Sequence, residues 1–186
     1  MSKISTYLSV SLIVISFIIG VGAGYSFTPQ YSLSMYDKSG MDLGRADKWI
    51  DLRYIDAMIA HHRGAILIAQ QAEKSGRSEI QNLAKEIQKN EPVLIEELYT
   101  WKKNWYNDTK KVGDPVVPNL GSYNDTFDLR FLNAVITHHE NGIAMTKDIS
   151  MKSSRNEILD NANAVEKFLT ESGETLKGWR MAWYNI

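Results

Sequence analysis

The chain of 186 residues contains four histidines, all in two adjacent pairs, His61-His62 and His138-His139, set 77 residues apart. Neutral imidazole is the commonest side-chain metal ligand. Burying several imidazoles without partners is costly. Two pairs at matching positions on apolar faces therefore point to a shared metal site rather than to four separate core histidines. Met58 precedes the first pair by three and four residues, and Met145 follows the second by seven and six. Thioether with imidazole is a soft to borderline donor set, which favours copper, Cu(I) in particular, over magnesium, calcium or iron. Four histidines alone also suit zinc. The candidate metal ligands are His61, His62, His138, His139, Met58 and Met145.

Other chemistries find no support. The absence of cysteine excludes disulfides, zinc-thiolate sites, iron–sulfur clusters and thiol catalysis. Ferritin-like di-iron catalysis needs four carboxylates and two Glu-x-x-His motifs, but the residues three before the histidines are Met58, Ile59, Val135 and Ile136. No nucleophile elbow is present. These absences describe a binder, not an enzyme. The chain carries 21 basic against 22 acidic residues, a net charge of −1, so it lacks the basic excess of a nucleic-acid binder.

The elements that must hold the histidines are written twice. Asp51 to His62 returns as Asp128 to His139, with seven of twelve positions identical. Further on the offset becomes 78, and Leu98, Trp101, Trp105 and Tyr106 match Leu176, Trp179, Trp183 and Tyr184. Leu52, Ile55, Ile59, His62 and Ile66 recur at steps of three and four, the seam of a packed helix. Leu129, Leu132, Ile136, His139 and Ile143 repeat it. Each copy predicts a helical hairpin, with Asp47 and Asn124 suited to cap its first helix. Two hairpins predict an all-α, ferritin-like four-helix bundle with pseudo-twofold symmetry. Repeat one spans residues 47–107, a Pro- and Gly-containing linker 108–124, and repeat two 125–186. The tryptophans at 101, 105, 179 and 183 suit packing at the bundle core and ends. Pro92, inside the second helix of copy one, predicts a kink. Beside it, Glu91 is open to three roles: a weak ligand, a hydrogen-bond acceptor for an imidazole, or a solvated glutamate at the bend.

Residues 1–27 hold a charge-free apolar run after Lys3. They read as an N-terminal hydrophobic helix, either a membrane anchor or a cleaved signal peptide. Both place the following domain outside the cytoplasm. Residues 28–46, with Met35 and Met41, read as a poorly ordered tether.

Met58-Ile59-Ala60-His61-His62, then Ala65-Ile66, then a second helix ending in tryptophan, resemble the domain of unknown function 305 family in both copies. The resemblance implies a ferritin-like helical bundle and a part in copper binding or copper resistance, in a secreted or membrane-bound setting. The family's Met-x-x-His-His core is complete at Met58, His61 and His62, whereas Val135 replaces the methionine in copy two. The methionine usual six places after the second histidine is Met145 in copy two and Ile68 in copy one. The places of the family's second-helix pattern Gln-x-x-Glu-Ile-x-x-Met-x-x-Trp hold Glu91, Leu94, Ile95, Leu98 and Trp101, and Leu169, Ser172, Gly173, Leu176 and Trp179, so the usual glutamate and methionine are lost in both copies. Each copy keeps about half of the implied ligand set, which favours one composite site, or a degraded one, over several copper ions. The expected function is copper sequestration, buffering or delivery. The alternative is a membrane-tethered interaction module with a vestigial metal site.

Overall fold

A computed structural model of the chain describes residues 42–186. The apolar N-terminal segment and Met35 and Met41 lie outside them. Four helices follow in order: α1 (Ile50–Gln70), α2 (Ser78–Tyr106), α3 (Phe127–Ser150) and α4 (Asn156–Tyr184). No strand occurs among the described residues. The described residues form an all-α four-helix bundle.

Helix α1 packs on α2, α3 on α4, and α1 on α3. Apolar residues at three- and four-residue steps give each helix one buried stripe. The two long helices stop on an asparagine in the left-handed conformation, Asn107 (φ 49°) and Asn185 (φ 60°). Each turns its amide back onto the last helical turn, at the carbonyls of Lys103 and Met181. Pro92 does not interrupt α2, which runs as one helix through it. Trp101 stacks on Trp105 and Trp179 on Trp183 near the helix ends.

The two copies are latched reciprocally. Ser75, in the α1–α2 turn, donates its hydroxyl to Asp128 at 2.6 Å, and Arg77 lies 4.3 Å over the ring of Trp183. Ser153, in the α3–α4 turn, donates to Asp51 at 2.6 Å, and Arg155 lies 4.2 Å over Trp105. Arg155 also reaches Asp51 at 3.1 Å, and Arg77 reaches Asp128 at 3.5 Å. The turn of each copy therefore closes on the first and last helices of the other.

The repeat also begins earlier than sequence identity reveals. Arg53 Nε donates to the Leu43 carbonyl and Arg130 Nε to the Leu120 carbonyl, both at 2.6 Å. Gly44 (φ 79°) and Gly121 (φ 70°) follow these leucines in the left-handed region that glycine tolerates. The side chains of Asp42 and Asn119 accept the two glycine amides at 2.8 Å. Leu43 and Leu120 are buried. The reading of 28–46 as a loose tether thus fails for residues 42–46, which are anchored through one buried leucine and one arginine. Residues 108–121 are likewise fastened, by Lys102 on the Lys110 carbonyl, Tyr99 on the Val112 amide and Arg63 on Asp114. Asp47 and Asn124 do not occupy the N-cap positions, which fall to Trp49 and Thr126. They accept the amide two residues on, at 2.9 and 3.2 Å, and shape the turn that enters each helix. No helix among the described residues is long and apolar enough to cross a membrane.

Removing one latch tests its weight. Asp51→Ala strands Ser153 and Arg155 together and should cost about 1–3 kcal/mol in urea unfolding followed by circular dichroism. A loss below about 0.5 kcal/mol, the usual range for plain surface substitutions, would show that the latch is incidental.

Candidate metal centre

Two apolar clusters divide the bundle along its length. One contains Ile55, Met58, Ile59, Ile95, Leu98, Met145 and Ile149. The other contains Ile68, Ala69, Phe131, Leu132, Val135, Ile136 and Leu176. In sequence, both histidine pairs fall between residues of the first cluster and residues of the second. Helices α1 and α3 carry them to a common waist, where the rings of His61 and His138 stack with centroids 3.8 Å apart and planes 20° apart. His62 lies 6.0 Å from His61 and His139 6.4 Å from His138, centroid to centroid. All four rings line a cleft of about 610 Å³ between α2 and α4, walled by Leu83, Ile87, Leu94, Val165, Phe168 and Trp179.

The stack needs room on the opposing helix. A Cβ on Gly142 of α3 would stand 2.6 Å from His61 Nε2 and would also strike Leu169. Gly64 of α1 leaves a milder space, 3.3 Å from His138 Cε1.

His62, His138 and His139 are 6%, 9% and 7% exposed. Burial pushes the His61 imidazole down to about 4, reinforced by His62. Burial pushes His139 down to about 3, with His61 adding to the effect. His138 is driven down by burial and by its three imidazole neighbours. These three rings are neutral at physiological pH and hold lone pairs rather than charge.

Their hydrogen bonds show which nitrogens are free. His61 Nε2–H donates to the His138 carbonyl at 3.1 Å, so its Nδ1 carries the lone pair. His62 Nδ1–H donates to the Glu91 carboxylate, so its lone pair is on Nε2. His139 Nε2 shares a 2.9 Å hydrogen bond with the Ser172 hydroxyl. Nδ1 of His61, Nε2 of His138 and Nδ1 of His139 are buried with no hydrogen-bond partner. Three neighbouring imidazoles with unpartnered nitrogens suit a soft or borderline metal ion, which would take those lone pairs. The stacked rings are not yet in coordinating array. No group of three or more His, Asp or Glu side chains among the described residues is placed to hold a metal directly. Loading would require the His61–His138 stack to turn.

The structure places Met58 and Met145 together in the first apolar cluster, both fully or nearly fully buried. They flank the histidines and are not part of the cleft lining. Their counterparts, Val135 and Ile68, both lie in the second cluster. The antiparallel crossing of α1 and α3 thus puts the two remaining methionines on one side of the imidazoles. Glu91 serves as acceptor for His62. Further along α2, burial raises Glu97 to about 7 against the opposing pull of His62. Sequence reasoning missed Gly142 and the bond of Ser172 to His139. The signal for Gly142 was present: a glycine inside an apolar helix three residues after the second histidine pair.

Gly142→Ala should cost about 1–3 kcal/mol, the usual penalty of overpacking, and should displace His61 from its stack. Gly173→Ala, where a Cβ meets nothing within 4 Å, should be neutral or stabilising through helix propensity. Equal stability of the two variants would refute the close fit.

Acidification tests the buried neutral rings. Because the folded-state values of His61, His138 and His139 lie below 6.5, the unfolded chain binds more protons as pH falls below that value. Stability is full above about 6.5 and declines toward pH 4. The melting temperature of the metal-free protein should drop between pH 6.5 and 5, above the range where ordinary carboxylates titrate. A flat profile there would show that the rings are hydrated.

Comparison with known proteins agrees with this architecture. The profile of the domain of unknown function DUF305 matches residues 51–121. No curated protein matches the sequence. Among solved structures, the chain is similar to CopM in its Cu(I)-bound form, with a TM-score of 0.64 and 25% identity over 74% of this chain and 99% of that one. CopM in the Ag-bound form gives a TM-score of 0.63 at 25% identity, over 72% and 97% of the two chains. The apo form of CopM gives 0.63 at 25% identity, over 72% and 98%. The matched residues 51–121 take in the Met58-x-x-His61-His62 motif and the first helical hairpin, so the likeness to this family falls on the first copy and the connecting segment.

Proposed function

We propose that the protein binds copper as cargo, Cu(I) in preference to Cu(II), in one composite site at the bundle waist. It acts in sequestration, buffering or delivery, and not as a catalyst. The carrying observation is the set of three buried imidazole nitrogens without partners. Leaving such groups unmatched costs about 1–3 kcal/mol each, and a metal ion relieves it. His61, His62, His138 and His139 supply the nitrogen donors. Met58 and Met145, gathered on one side of them, supply the thioethers that select a soft ion. The likeness to CopM, solved with Cu(I), with Cu(II) and with Ag, supports copper, and the two thioethers carry the preference for Cu(I). The apolar N-terminal run supports a place outside the cytoplasm, tethered to or released from the membrane.

Competition titration with a Cu(I) chelator tests the reading. The wild type should bind one equivalent, and the double change His62→Ala, His139→Ala should abolish binding. Met58→Leu with Met145→Leu should weaken Cu(I) while leaving Zn(II) affinity nearly unchanged. Undiminished Cu(I) affinity in the double histidine variant would remove the site assignment.

A further inference from the structure

We infer that Glu91 is a positioning residue that makes the two halves of the centre chemically unequal, fixing the His62 ring and matching the site to a monovalent ion. The inference rests on the metal-binding reading above. The side chains of His62 and Glu91 are 7% and 14% exposed, and the ring Nδ1–H donates to the carboxylate. A donating Nδ1 leaves the lone pair of the neutral ring on Nε2 and holds the ring in one tautomer and one orientation, as carboxylate partners of ligating histidines do.

The second copy has no such device. Leu169 stands at the place of Glu91, and its methyl group packs against Gly142. His139 turns instead to the neutral hydroxyl of Ser172, whose own counterpart in copy one is Leu94. The carboxylate in one copy and the hydroxyl in the other sit one helical turn apart in register. Duplication alone did not produce them, because neither position holds the same residue twice.

Charge then discriminates between ions. Among the described residues Glu91 is the only carboxylate bonded to any of the four imidazoles. Imidazoles must be neutral to ligate a metal, so the bonded set of four rings and Glu91 contributes the single negative charge of one carboxylate. A monovalent ion brings the centre to neutrality. A divalent ion leaves a net positive charge between apolar clusters, where uncompensated charge is costly.

Ag(I), monovalent and inert to air oxidation, is the probe, with the full chain titrated against a competing chelator. Glu91→Gln keeps an acceptor oxygen for His62 and removes the charge. Its Ag(I) affinity should fall by about tenfold or more, with an unchanged circular dichroism spectrum. Affinity within about threefold of wild type would overturn the inference while leaving the metal site standing. Failure of the wild type itself to bind Ag(I) would instead remove the site. The ring ¹⁵N resonances of the metal-free wild type give a second readout that needs no variant. They should show His62 protonated on Nδ1, and a proton on Nε2 would equally overturn the inference.

Discussion

The closeness of α1 to α3 is the constraint on which the centre depends. Two imidazoles from different copies can stack at 3.8 Å only if the backbones that carry them approach closely. Gly142 opens the space that His61 fills. The reciprocal latches set the approach from both ends, since each turn closes on the other copy's terminal helices. Were the copies joined by the connecting segment alone, they could slide by a helical turn, about 5.4 Å, and the histidine pairs would part. Latches at both ends forbid that slide, because moving one into a new register breaks the other.

Sequence carried the helices, the duplication and the histidine pairs to the page. Periodicity of three and four reports which face of a helix is buried, and the repeat reports that two such faces are alike. Neither reports the direction in which two helices cross. For that reason Met58, ahead of its pair, and Met145, behind its own, read as separate half-complete ligand sets. The crossing converts opposite positions along the chain into the same side in space. The start of the repeat was hidden for a different reason. Asp42-Leu43-Gly44 and Asn119-Leu120-Gly121 share geometry through one buried leucine, one positive φ and one arginine clip, too few positions to rise above coincidence by identity. Ser172 was seen only as the residue standing at the family's glutamate place, because a serine among apolar helix residues gives no hint of which imidazole it will meet.

Divergence between the copies has a physical logic. A symmetric duplicate would place a carboxylate, two methionines and two histidines on each side of the waist. Two ions held that close would repel across an apolar interior, where screening is weak. Val135 and Ile68 make the second side purely apolar, and Leu169 removes its carboxylate counterpart. On the proposed reading the four imidazoles then serve one ion, with the soft donors on one flank and the Glu91 carboxylate bonded to one ring.

This arrangement also explains why a fold would keep neutral rings it does not satisfy. Three buried nitrogens without partners, at about 1–3 kcal/mol each, weigh heavily against the 5–15 kcal/mol that typically holds a domain together. Replacing the histidines with aliphatic residues would relieve that burden at once. Under the proposed function they provide instead a folded state whose stability depends on an ion, because any species that binds the native chain and not the unfolded one stabilises it by mass action. Metal occupancy and folding are then linked in both directions. On the proposed reading the loaded bundle is the tighter one, and the cleft between α2 and α4, which all four rings line, is the approach an ion would use.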